Sequence, residues 1–519
     1  METSTTMKRL AAAAGAVVAL AAGAFVANET LLAGCTPQTS TLAVGQTFQS
    51  AYASSSCKGD VFELAPGAHP AQTMSYVTSK GEVGDAADVT FRGQPGATVG
   101  PITGYGVRFV TFEALDVQGA VIFECEDSGV PTEARGQHPV GVTVRNSRIR
   151  GTTRSENAQR LVIEDNEIGP SSAVIKVGAS ADDLGANCTD EPPSDITFVG
   201  NDIHNFREAS AASHMECVFV EGVQGLVIRR NIVRGCSVFS IFFKQQLAAG
   251  LFGMQDILIE NNFLGCPVAS AFRSAGTTSM SFSEGNYTNL TVRNNSICGN
   301  LLFRKDLPGT WTNVVAEGNL GKQISTGSPS VSVCTAAGVT VRDNAWTAAS
   351  KCPADLASGV VTGWIDVETS EEINSSTSDP TIDYHLAAGA WAIDKAPSGP
   401  SQDFDQQARP SGSSYDVGAD EAGATEPPPT TTEPLPTTTE PPLTTTEPSV
   451  PTDLAIFCSE YVPNAQAESS YAKWLTQNPG EKSRWEPYRD GVCAGGNPSP
   501  PAMLTAKGRG LVAAGKMTR

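Results

Sequence analysis

Six short apolar strings each end in a charge. Glu124 closes residues 121–123, Lys176 closes 173–175, Glu221 closes 218–220, Lys244 closes 241–243, Arg273 closes 270–272 and Arg304 closes 301–303. Side chains alternate along a strand. If the strings are equivalent strands, the six charges share one outward column, and Val220, Phe243, Phe272 and Phe303 stack inward as a ladder. A lysine flanked by an arginine and a glutamate suits proton abstraction next to a carboxylate. Lys244 would be the base, Arg273 would neutralise the carboxylate, and Glu221 would serve as a supporting acid or calcium ligand. Glu124, Lys176 and Arg304, further along the column, would line an extended substrate. Hydrolysis would instead need two carboxylates ~5–9.5 Å apart. The structural alternative is a solvated row of charges, each pair worth little.

His214-Met215-Glu216-Cys217 offers a second candidate. A His-x-Glu spacing puts both side chains on one face of an extended strand, where they could exchange protons or form a buried hydrogen-bonded pair. Asp182, Asp183, Asp190 and Glu191 offer hard oxygen atoms that could hold calcium, but without EF-hand spacing. No Walker loop, nucleophile elbow or dinucleotide fingerprint is present.

The elements that would position these residues announce themselves through a repeat. An alternating apolar string, a polar pair and a further apolar residue recur at 142–151, 161–169, 196–203, 226–235, 257–265, 290–299, 314–320 and 339–346. The equivalent positions are Ser147, Asn166, Asn201, Asn231, Asn262, Asn295, Asn319 and Asn344. Each coil is too small to bury a core alone, so the coils must stack. Asn tolerates left-handed geometry at a tight turn, and its amide can bond to the same residue one coil away.

On these residues the chain resembles the right-handed parallel β-helix proteins of the pectate-lyase-like superfamily, over about residues 57–420. That resemblance implies an all-β solenoid with an extended polymer bound along one face. It also implies an extracellular polysaccharide as partner, with a uronate lyase ahead of a glycoside hydrolase. The alternative is a non-catalytic surface or adhesion protein anchored through its C-terminal module, because this fold does not specify an activity. Residues 57–67 resemble the opening segment of such helices. Residues 383–421, with Asp394, Asp403, Asp405, Arg409, Asp416, Asp420 and Glu421, resemble a closing cap. The HxEC element resembles one in other β-helix proteins and implies no activity.

Four regions follow: a signal-peptide region at 1–34, the β-helix with its caps at 35–424, a Thr-Pro-Glu repeat linker at 425–452 and a small module at 453–519. Met7-Lys8-Arg9, the apolar run Leu10–Ala27 and Ala22-Gly23-Ala24 read as a cleaved export signal, which would leave no membrane span. Leu32-Ala33-Gly34-Cys35 also reads as a lipoprotein box, which would anchor the chain at Cys35; otherwise Cys35 bridges Cys57. The linker is extended and polyproline-like, reaching on the order of 85 Å at ~3.1 Å per residue. In the module, Cys458 and Cys493 are expected to bridge, since so small a unit needs a staple. Cys334 and Cys352 are expected to pair by proximity, while Cys125, Cys188, Cys217, Cys236, Cys266 and Cys298 stay open. Twelve cysteines imply an oxidising compartment. A net charge of −20 argues against nucleic acid as a partner. A chain with 50 Gly, 33 Pro and 17% charged residues is no coiled coil.

Overall fold

The computed structural model describes residues 36–55, 57–77, 89–125, 130–179, 188, 191–208, 210, 215–245, 252–269, 276–327, 332–348, 351–359, 385–386 and 389–423. The linker, the module, the export region, Cys35, Cys458 and Cys493 lie outside these residues. Every pairing between named strands is parallel, and each strand pairs with its equivalents in the preceding and following coils. The chain is a right-handed parallel β-helix, wound in the hand that parallel crossovers take.

Three strand columns run along it. Face 1 has twelve strands, from Thr39–Leu42 to Val339–Arg342. Face 2 has short strands, such as Arg148–Ile149, Asp202–Phe206 and Ala345–Trp346. Face 3 runs through Val121–Glu124, Thr153–Glu156, Ile175–Gly178, Val218–Glu221, Ile241–Phe243 and Thr278–Phe282. Near the C-terminal end, Ser296–Phe303 spans faces 2 and 3 without a break.

The recurring phrase is a face 1 strand, the corner and the start of face 2. At that corner the asparagines form a ladder. The Asn166 amide oxygen accepts from Ser147 N (3.0 Å), Asn201 from Asn166 N (3.1 Å) and Asn231 from Asn201 N (3.0 Å). Asn262, Asn295, Asn319 and Asn344 continue the series at 2.9–3.1 Å, and Asp355 ends it. Each side-chain amide also donates backwards, as Asn262 Nδ2 does to Ile228 O (2.9 Å). The left-handed residue is not the laddered asparagine, as expected, but the one before it. Asn146, Asp165, Arg230, Asn261, Asn294 and Asp343 have φ between 48° and 58°, and Gly200 and Gly318 take the same place. The division of labour is physical: one residue makes the bend, and the next aims its amide along the stack.

Inside the coils one continuous apolar core fills the lumen. Phe243, Phe282 and Phe303 stack at 4.7 and 5.0 Å. Phe282 takes the place expected for Phe272, which lies outside the described residues. The N-terminal end is closed by a helix, Phe48–Ser54, capped by Thr47. Phe48 stacks on Phe91 (4.3 Å), and Tyr52 donates to Arg108 O (2.8 Å). Burial pushes the Tyr52 phenol up to about 12.

The disulfides lock neighbouring coils and loops. Cys334–Cys352 forms as expected, and the open cysteines resolve as Cys125–Cys188, Cys217–Cys236 and Cys266–Cys298. Cys57 is also disulfide-bonded. Among the described residues no helix is long and apolar enough to cross a membrane.

The expected C-terminal cap is a lateral strap. Phe404 packs edge-on against Phe263 (4.7 Å), Ala419 N donates to Ser296 Oγ, Gly418 N donates to Gly318 O, and Asn261 Nδ2 donates to Gln402 O. The outward column of face 2 gives the reason. It reads Asp116, Arg148, Glu167 and Asp202, then Ile232, Phe263, Ser296, Leu320 and Ala345. Where the column turns apolar, residues 389–423 fold back and cover it, burying Leu320 and Ala345 with Leu386, Ala392, Ala396 and Val417.

Candidate functional site

The strand register decides which charges share a column. Glu124 pairs with Glu156, Glu156 with Gly178, and Gly178 with Glu221. Val220 opposite Phe243 then puts Lys244 beside Glu221, and Phe282 opposite Phe303 puts Arg304 beside Ser283. Lys176 is therefore not in this column. It lies opposite Arg154 and Phe219, two residues earlier. Arg273 lies outside the described residues, and the strand paired between Lys244 and Arg304 is Thr278–Phe282, so Ser283 holds the place expected for Arg273.

The shifted register makes a compact cluster. Gly178 leaves a gap between Glu156 and Glu221, and Lys176 reaches into it. Its Nζ stands 3.2 Å from Glu156 Oε1 and 3.8 Å from Glu221 Oε2. Arg154 Nε holds Glu156 at 2.7 Å. These distances put the two carboxylates no more than about 7 Å apart. Yet Glu156 and Glu221 are 1% and 0% exposed and the lysine only 18%, so the trio is an interior ion cluster. Gly178 itself has φ +111°, and a Cβ there would lie 1.8 Å from Glu221 O, so the gap is obligatory.

Beyond the cluster the surface becomes aromatic. Phe219 and Phe242 project outward from adjacent strands and stack at 5.6 Å, and Phe239 stacks on Phe242 at 5.0 Å. All three rings are half-buried. Lys244 leaves the same side of the strand two residues after Phe242. It is 38% exposed and pairs with Glu284 at 3.5 Å. Further along, Arg304 is clamped in a fork by Asp306, with Nε–Oδ1 and Nη2–Oδ2 both at 2.9 Å. That bond raises the arginine and holds the Asp306 carboxyl below its ordinary value. Burial lowers the neighbouring Lys305, whose ammonium sits 5.1 Å from the Trp311 ring centre.

His214 lies outside the described residues. Glu216 is buried beside the Cys217–Cys236 disulfide, away from the outward surface. Asp182, Asp183 and Asp190 also fall outside, and Glu191 accepts from Gln159 Nε2.

Two charged features escaped the sequence reading. On face 1, Glu63, Arg92, Glu113, Arg145 and Glu164 alternate in sign coil by coil, and after Val199 so do Arg229, Glu260, Arg293, Glu317 and Arg342. Neighbours pair at 3.0 Å (Arg92–Glu113), 2.7 Å (Arg293–Glu260) and 2.6 Å (Arg342–Glu317). The signal was the residue two places before each laddered position, which reads R, E, V, R, E, R, E, R. On face 2, Glu167 holds Arg148 at 3.0 Å and lies 3.5 Å from His204, while Arg234 pairs with Asp202 at 2.9 Å. Burial lowers the His204 imidazole.

In fold the chain is similar to two solved structures. One is pectate lyase Pel9A, at 14% identity, with 75% of this chain and 97% of that one covered and a TM-score of 0.36. The other is the PL6 family alginate lyase AlyGC, at 13% identity and a TM-score of 0.32; the match covers 71% of this chain and 60% of that one. No family model and no curated protein matches the chain.

Proposed function

We propose that this β-helix binds an acidic polysaccharide along face 3. Sugar rings would seat on Phe219, Phe242 and Phe239, with a sugar carboxylate against Lys244. The observation that carries this reading is the outward aromatic stack with a half-exposed ammonium on the same strand side. Face 1 suits such a ligand poorly, because its alternating ion pairs leave no net field. If the bound polymer is cleaved, the reaction is β-elimination: Lys244, as its neutral amine, takes the proton next to the sugar carboxylate and the glycosidic oxygen leaves as the double bond forms, so in that reaction Lys244 does not also hold the carboxylate; Arg304 and Glu124 line the polymer beyond the reacting sugar. A hydrolytic mechanism through Glu156 and Glu221 is disfavoured, because the two acids are buried and share Lys176.

Affinity electrophoresis against pectate, alginate, glycosaminoglycans and a neutral glucan tests the proposal. Phe242→Ala should weaken retention by every bound polymer about tenfold, the worth of one aromatic contact of roughly 1.4 kcal/mol. Lys244→Ala should weaken retention by acidic polymers only. Ultraviolet absorbance of an unsaturated product, lost in Lys244→Ala, would show elimination. Binding without product would make the protein a non-catalytic surface binder. Absence of retention by every polymer, or retention indifferent to Phe242, would overturn the proposal.

A further inference from the structure

The strap brings together three metal-ligating side chains from three separate segments. His385 Nε2 lies 2.9 Å from Asp405 Oδ2, and one ligand atom from each of His385, Asp405 and Asp420 falls within 4.8 Å of the others. Asp420 is buried, and Leu386 N donates to its Oδ2 at 2.6 Å, which fixes it against the backbone next to His385. His385 is 52% exposed, so the site opens to solvent on its side.

The surroundings are over-acidic. Asp403 and Asp420 are buried, and Asp405 stands beside both. Of the cations nearby, Arg230 faces Asp403 and Asp405, and the buried Arg409 is committed elsewhere. It donates to Glu421 (2.8 Å), to Asp416 O (2.7 Å), to Gly418 O (3.2 Å) and to Asp420 O (3.3 Å). A divalent cation held by His385, Asp405 and Asp420 would offset the charge of the two carboxylates that ligate it.

We propose that His385, Asp405 and Asp420 form a binding site for a zinc-class divalent ion, which staples the strap across its own length. One imidazole nitrogen with two carboxylate oxygens suits such an ion, whereas calcium and magnesium prefer all-oxygen shells. Ligand atoms of a tetrahedral zinc site stand roughly 3.4 Å apart, so the present spacing closes with a shift of about an ångström. The ion would displace the hydrogen bond between His385 and Asp405, and water could complete the shell.

Titration calorimetry of the full chain with zinc chloride, with calcium chloride as comparison, tests this. The expected result is one zinc per chain, at least tenfold weaker binding in both His385→Ala and Asp405→Asn, and unchanged circular dichroism in both variants. Anomalous scattering from a zinc-soaked crystal should place the ion among the three side chains. The proposal fails if no saturable zinc binding occurs, if both variants bind as the parent does, or if calcium binds as tightly as zinc. Should His385→Ala disturb the fold, His385→Gln keeps the size of the side chain and must still lose the ion.

Discussion

Asn262→Ala should cost far more than its small change in volume suggests. The side chain is fully buried. Its Oδ1 accepts from Asn231 N (2.9 Å) and Asn231 Nδ2 (3.0 Å). Its Nδ2 donates to Ile228 O (2.9 Å), Glu260 O (3.0 Å) and Asn295 Oδ1 (2.9 Å). Truncation strands two donors and up to three acceptors in a corner closed to solvent. Each stranded buried group costs ~1–3 kcal/mol, less where a partner survives, so the loss should total about 4–6 kcal/mol. Arg293→Ala is the control, since it removes from the neighbouring coil a partly exposed arginine paired with Glu260, which keeps Arg229 as a partner, worth roughly 0.5–1 kcal/mol. Urea unfolding followed by far-ultraviolet circular dichroism reads both. A drop of the slope in Asn262→Ala alone would mean that the coils on either side unfold separately. A cost of less than about 1 kcal/mol, level with the control, would refute the view that the ladder holds the corner together.

Three further outcomes follow from the geometry. Burial raises both Asp403 and Asp416 to about 6, above the unfolded value of 3.8. Their contribution to strap stability is therefore full below pH ~4 and lost as pH rises through ~6, so limited proteolysis near residue 389 should quicken between those values, less so in Asp416→Asn. Replacing Cys217 and Cys236 by serine opens a bridge separated by 19 residues and should cost roughly 3 kcal/mol in urea unfolding. Gly178→Ala should fold poorly or not at all, because a Cβ would strike the Glu221 carbonyl; a thermal midpoint equal to the parent's would sink the account of the Lys176 cluster.

The asparagine ladder was legible because its letter, its spacing and its chemistry coincide: one polar side chain per coil, always after the same strand. The face 3 register was less so. The strand Thr153–Glu156 turns Thr153 and Ser155 inward, so it carries no apolar signature, and matching apolar strings set Lys176 two places off. The strand Thr278–Phe282 does turn Met280 and Phe282 inward, but Ser279 and Ser281 break up its apolar run, and the Ser-Ala-Phe string just before it draws Arg273 into Ser283's place. The strap's acidic letters were visible, but where it docks depends on an outward column of face 2 that only the register reveals. The Phe219–Phe242 platform was in plain view as letters and was overlooked beside the charges that follow it.

The sign sequence on face 1 constrains how this rod can grow or shrink. Glu164 and Arg229 would continue the alternation if the coil carrying Val199 were cut out, so that coil reads as a neutral insert. Deleting any other single coil between the ends of either charged run would set like charges about 4.8 Å apart, with no partner between them. The asparagine corner accepts any number of turns. The row of opposite charges beside it keeps parity, and so admits whole coils only in pairs or with an uncharged residue at that position.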